Sequence, residues 1–133
     1  MEIVYERPPV WDRATSELGA DEDTIFTYGD TMYVPSGRQP DAALIAHEEV
    51  HSLQQQSEVT PTPAIWWEAY FGSNDFRFSQ EAPAYKKQYD VFCITHKDRN
   101  ERARYLAYIT NSITGKLYGH LPGRDIRKLI LGQ

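Results

Sequence analysis

The segment His47-Glu48-Glu49-Val50-His51 constrains this chain more than any other. Its histidines are four positions apart. On an α-helix that spacing puts both rings on one face, one turn apart. Two ring nitrogens so placed can reach one zinc ion at about 2.0–2.1 Å. Glu48 is turned about 100° from His47, beside the histidine face, where it can reach a water on the metal without being a ligand. Glu49 turns about 100° further and should be solvated. The helix itself is well signalled: Asp41, following Pro40, can cap a helix over 42–56. Ala43, Ala46, Val50 and Leu53 gather beside the histidines as a core stripe. The metal face is then expected at the rim of the core, facing a groove.

A catalytic zinc site needs a third protein ligand and an open position. Glu81, Glu68, Glu58, Asp75, His96 and His120 are all available. Glu81 is preferred. It follows His51 by thirty residues, enough for a loop, a short helix and a second helix packed back on the first. Two arrangements present Glu81 to the histidines. Ser79 caps its helix with Pro83 in the first turn, or the helix begins near Asn74 and Pro83 kinks it.

The remainder reads as an α+β chain, a small N-terminal antiparallel sheet or hairpin followed by a mainly helical part. Residues 2–5 form a short strand, and Val10 to Leu18 a helix stopped by Gly19. Two β-rich runs, 24–28 and 31–34, flank Gly29-Asp30 and predict a hairpin with a primed turn. Further helices are expected through Trp66, Trp67 and Tyr70, then to Ile94, then over 98–112 and 124–131. The 133 residues show no linker or repeat and suit one domain, 1–133.

Composition removes several function classes. A net charge of −5 argues against a nucleic-acid partner. Arg124, Arg127 and Lys128 read as a solvated helix face. No apolar run approaches the ~20 residues that span a bilayer, and the N-terminus lacks a secretory pattern. A cytoplasmic monomer is expected, and a virus-encoded protein made in a host cytoplasm would look the same. The single Cys93 excludes an internal disulfide and a cysteine-based metal site. Its apolar surroundings, Val91 to Ile94, predict a buried thiol.

His47-Glu48-x-x-His51 followed by Glu81-x-x-Ala84 resembles the gluzincin arrangement of zinc peptidases. The order of hairpin, motif helix and glutamate helix is similar to minimal peptidase domains of the ImmA/IrrE kind and to small phage-encoded zincins. The resemblance covers about residues 24–94. The third histidine of metzincins is absent after His51, and Pro83 departs from the downstream pattern.

This resemblance implies a zinc metallopeptidase acting on a peptide or protein substrate. His47, His51 and Glu81 would be the ligands, and Glu48 the general base toward a zinc-activated water. Tyr118 or His120 would stabilise the oxyanion, with Tyr85 as a rival. Arg77 would orient Glu81. Thr31 to Val34 would form an edge strand that binds extended substrate. Trp66, Trp67 and Tyr70 would shape a pocket or simply pack. The alternative is a catalytically inactive zincin-fold interaction protein whose metal site is structural.

Overall fold

The computed structural model describes residues 1–113 and 123–132. Its elements run β1 (Glu2–Val4), α1 (Trp11–Leu18), β2 (Phe26–Tyr28), β3 (Thr31–Tyr33), α2 (Ala42–Gln54), α3 (Pro63–Gly72), α4 (Asn74–Thr95), α5 (Arg99–Ile113) and α6 (Gly123–Leu131). This is the expected α+β arrangement, a small N-terminal sheet followed by helices. None of the described helices is long and apolar enough to cross a membrane.

Local chemistry places the helix boundaries. Asp41 Oδ1 accepts the Leu44 N–H at 2.9 Å and opens α2. Thr62 Oγ1 accepts the Ile65 N–H at 3.2 Å, with Pro63 in the first turn of α3. Ser73 Oγ accepts the Phe76 N–H at 3.1 Å and starts α4. Of the two starts foreseen for the Glu81 helix, the early one is found, and Pro83 lies inside α4. Pro83 has no N–H for the Ser79 carbonyl, but Ser79 is exposed, so water can serve that carbonyl.

The sheet order is β1-β3-β2, with β1 parallel and β2 antiparallel to β3. The hairpin pairs Tyr28 with Thr31 across Gly29-Asp30, and Gly29 takes a left-handed φ of 65°. The sheet corrects one expectation. Thr31 to Val34 is not an edge strand: β3 is paired on both sides, and the Val34 N–H also bonds the Val4 carbonyl at 2.8 Å. Its main chain is already used and cannot take up an extended substrate as proposed.

Two apolar clusters flank the middle of the molecule. One joins Ala14, Phe26, Trp66, Trp67 and Tyr70 from α1, β2 and α3. The other joins Leu106, Ile109, Ile113, Ile126 and Ile130 from α5 and α6, covered by Ala82, Tyr85 and Tyr89 of α4. Arg124, Arg127 and Lys128 are exposed on α6, away from its buried Ile126 and Ile130, which is the solvated face foreseen. Cys93 is half-buried rather than buried, because it lies on the last turns of α4, beside an Ile94 that is 65% exposed.

Helix α2 is turned differently from the predicted stripe. Leu53 is 70% exposed, whereas His47, Glu48, His51, Ser52 and Gln55 are buried. The metal face is therefore buried among polar partners rather than beside an apolar stripe, and it lines a cleft, as expected. Burying so much polarity is tolerable only when each group finds a partner. The hairpin supplies many of them. Gln55 accepts the Gly29 N–H at 2.7 Å and donates to the Thr27 carbonyl at 2.9 Å. Ser52 Oγ donates to Asp30 Oδ1 at 2.9 Å.

Gln55 is completely buried. Gln55→Ala should strand the Gly29 N–H away from water and destabilise the fold by about 2–3 kcal/mol. Urea unfolding of the two proteins measures this; a difference within error would show that the hairpin docks without that clamp.

Candidate metal centre

Helices α2 and α4 bring three donor atoms together. His47 Nε2 lies 3.1 Å from Glu81 Oε1, His51 Nε2 lies 2.8 Å from the same oxygen, and the two Nε2 atoms are 3.2 Å apart. All three residues are buried. Two ligand atoms of one tetrahedral zinc ion sit about 3.3 Å apart, so the observed triangle is close to that spacing. The donor set, two imidazoles and a carboxylate, also suits zinc. Three electron-pair donors packed this tightly repel one another unless a proton or a cation lies between them. The residues present therefore fit a metal ion, and a His47/His51/Glu81 group able to hold one is what the structure shows.

The surroundings fix these side chains unequally. The Nδ1 of His51 lies 2.8 Å from Gln54 Oε1. With the proton on Nδ1, this bond leaves Nε2 as the bare donor toward the site. Gln54 is held in turn by donating to the Gln80 carbonyl at 2.9 Å. His47 has no such anchor among the described residues, where its buried Nδ1 finds no hydrogen-bond partner. Its ring instead packs edge-on against Tyr85, with centroids 4.5 Å apart. Glu81 Oε2 accepts from the Tyr70 hydroxyl at 2.6 Å.

Glu48 stands beside the triangle, as its helical position predicts. Its Oε2 is 3.6 Å from His47 Nε2, and its Oε1 accepts from Thr27 Oγ1 at 2.9 Å. Glu49 is exposed. Burial pushes the Glu48 carboxyl above its ordinary range, although the histidines and the Thr27 hydroxyl pull it back. Burial also acts on the other two groups and is overcome there. Burial lowers His51, but the Glu81 carboxylate raises it to about 9. Burial raises Glu81, but the contacts with His51 and His47 hold it well below its ordinary value.

The other sequence candidates fall elsewhere. Glu68 is exposed and paired with Arg13. Glu58 and Asp75 are exposed. His96 stacks on Phe92 with centroids 3.9 Å apart, at the end of α4. Tyr118 and His120 lie outside the described residues. Tyr85 borders the same cleft as the triangle. Arg77 reaches the C-terminal end of α3: it donates to the Tyr70 and Phe71 carbonyls and to Asn74 Oδ1. Trp66 and Trp67 do pack the core, and both also line the cleft. Trp66 Nε1 donates to Gln80 Oε1 at 2.9 Å, which ties it to the residue that holds Gln54.

Three supporting roles were not foreseen: those of Gln54, of Thr27, and of Tyr70, which was expected only to shape a pocket or pack. Gln54 was legible, because it lies three positions after His51 on the same helix. Tyr70 and Thr27 carry no local signal. Comparison of the chain with protein-family models, curated proteins and solved structures finds no match. The chemistry of the site therefore rests on its own geometry.

The His51–Glu81 pair gives a pH signature in the metal-free protein. His51, raised from 6.5 to about 9, adds stability that is complete below pH 6.5 and disappears as pH rises through about 9. Glu81, lowered, adds stability present above its ordinary pKa of 4.5 and lost as pH falls through its depressed value. Zinc needs His51 without its Nε2 proton. Binding at pH 7 should release about one proton, and the apparent affinity should rise about tenfold per pH unit until near pH 9. Calorimetry in buffers of different ionisation enthalpy measures this; binding without proton release would refute a charged His51.

Proposed function

We propose that this protein is a zinc-dependent metallopeptidase that hydrolyses peptide bonds in a peptide or protein substrate. The observation that carries the reading is the buried convergence of His47, His51 and Glu81 on one point, with Glu48 beside it and not part of it. His47, His51 and Glu81 would hold the ion. Zinc in such a site supplies Lewis acidity, which polarises a carbonyl and makes water acidic near neutral pH.

The chain's own groups would do the proton work. Glu48 Oε2 faces the donor triangle, so the carboxylate can take a proton from the attacking water and return it to the leaving amine. Thr27 holds Oε1 at 2.9 Å and leaves Oε2 pointing to the site. The cleft that reaches the triangle is lined by Leu18, Ile25 and Leu44 among other residues, which offers apolar contact to a substrate side chain.

One observation favours the alternative, a structural ion clamping α2 to α4 in an interaction protein. His47, His51 and Glu81 are only 5%, 4% and 7% exposed. Against it stands the ligand set among the described residues: a closed structural site takes four protein ligands, and three of the described residues converge here.

Purified protein should bind one zinc per chain. Glu81→Ala should abolish stoichiometric binding, and Glu68→Ala should leave it intact; elemental analysis after dialysis reads both. Absence of bound metal in the zinc-reconstituted wild type would end the peptidase reading.

Glu48→Gln should keep the zinc and lower peptide-hydrolysis kcat by about 100-fold or more. A peptide-library digest followed by mass spectrometry provides the assay. Zinc binding with no cleavage by wild type would favour the structural clamp.

A further inference from the structure

We propose that Tyr70 is a positioning residue for the metal, holding Glu81 as a one-oxygen ligand. This rests on the metal-site reading above. The two oxygens of Glu81 have different neighbours. Oε1 lies 3.1 and 2.8 Å from the Nε2 atoms of His47 and His51. Oε2 accepts the Tyr70 hydroxyl at 2.6 Å. A carboxylate free at both oxygens can take an ion with both. Here one oxygen is engaged by a donor, and only the other is turned to the histidines. One coordination position that Glu81 could fill is thereby kept for water or substrate.

Tyr70 is itself held at several points. It is 7% exposed. Its ring stacks on Trp66 with centroids 4.8 Å apart and planes 25° apart, and it meets Trp67 edge-on at 5.2 Å. Its carbonyl accepts from Arg77, whose guanidinium carbon lies 5.9 Å from the ring centroid. Arg77 is one turn before Glu81 on α4, so the helix that carries the ligand also anchors the helix that carries its tyrosine. Arg77 thus bears on Glu81 through Tyr70.

The test compares wild type with Tyr70→Phe, using zinc for affinity and cobalt(II) as a spectroscopic stand-in. The Phe variant keeps the ring and its stacking, and loses only the hydroxyl. Zinc affinity should fall by about 10–100-fold. Visible absorption of the cobalt form should weaken, because four-coordinate cobalt absorbs far more strongly than five-coordinate cobalt. A variant that binds zinc as tightly as wild type with an unchanged cobalt spectrum would overturn the assignment while leaving the metal site standing. Wild type that binds neither ion would remove the metal site and this role with it. A second measurement needs no variant. The Tyr70 hydroxyl proton should be visible by NMR as a slowly exchanging resonance that persists when zinc is added. Its disappearance on zinc binding would mean that the ion takes Oε2 as well, and would overturn the assignment.

Discussion

Everything central in this molecule is arranged about the contact between Glu81 and the two histidines of α2. A carboxylate that is only 7% exposed is costly to bury. It is kept charged here by His51 at 2.8 Å and His47 at 3.1 Å, with Tyr70 on its second oxygen. Removing any of these partners leaves charge or a donor buried alone, which costs more than the contact itself contributes. The same triangle that suits a zinc ion is therefore also the point at which α2 and α4 must meet in one register. A bound cation would reconcile the three crowded donors.

The rest of α2 follows from that demand. Its buried face is largely polar, and its partners come from two directions. Toward α4, His47, His51 and Gln54 meet Glu81 and the Gln80 carbonyl. Toward the hairpin, Glu48, Ser52 and Gln55 meet Thr27, Asp30 and Gly29. The three-stranded sheet thus serves less as an apolar floor than as a source of hydrogen-bond partners for α2. The apolar clusters lie to either side, and they supply the hydrophobic driving force that a polar interface cannot.

Much of the fold could be read from local signals. Asp41, Thr62 and Ser73 are helix caps recognisable by residue type. Gly29 marks the hairpin, because its positive φ is strained for a residue with a Cβ. The stripe on α2 misled because polar residues of that helix, His47, Glu48, His51 and Ser52, take the buried face. Ala43 is buried, but Leu53 is left outside once Ser52 and Gln55 turn inward to the hairpin. Strand pairing misled for a similar reason. Glu2 to Val4 is a short segment distant in the chain, and nothing local announces that it will add in parallel to β3 and leave β2 at the edge.

The sequence by itself determined the chemistry available at one place. Helical periodicity is rigid, so His47 and His51 must share a face with Glu48 beside them, whatever surrounds the helix. Spacing favoured Glu81, but its convergence on the histidines, the burial of the whole site, and the roles of Tyr70 and Thr27 were decided by tertiary structure. Those depend on the direction in which α4 returns across α2 and on which groups it meets there. Such contacts join residues as far apart as Thr27 and Glu48 or His47 and Glu81. No short-range preference encodes them, because they form only when two elements pack and each buried polar atom must find its partner.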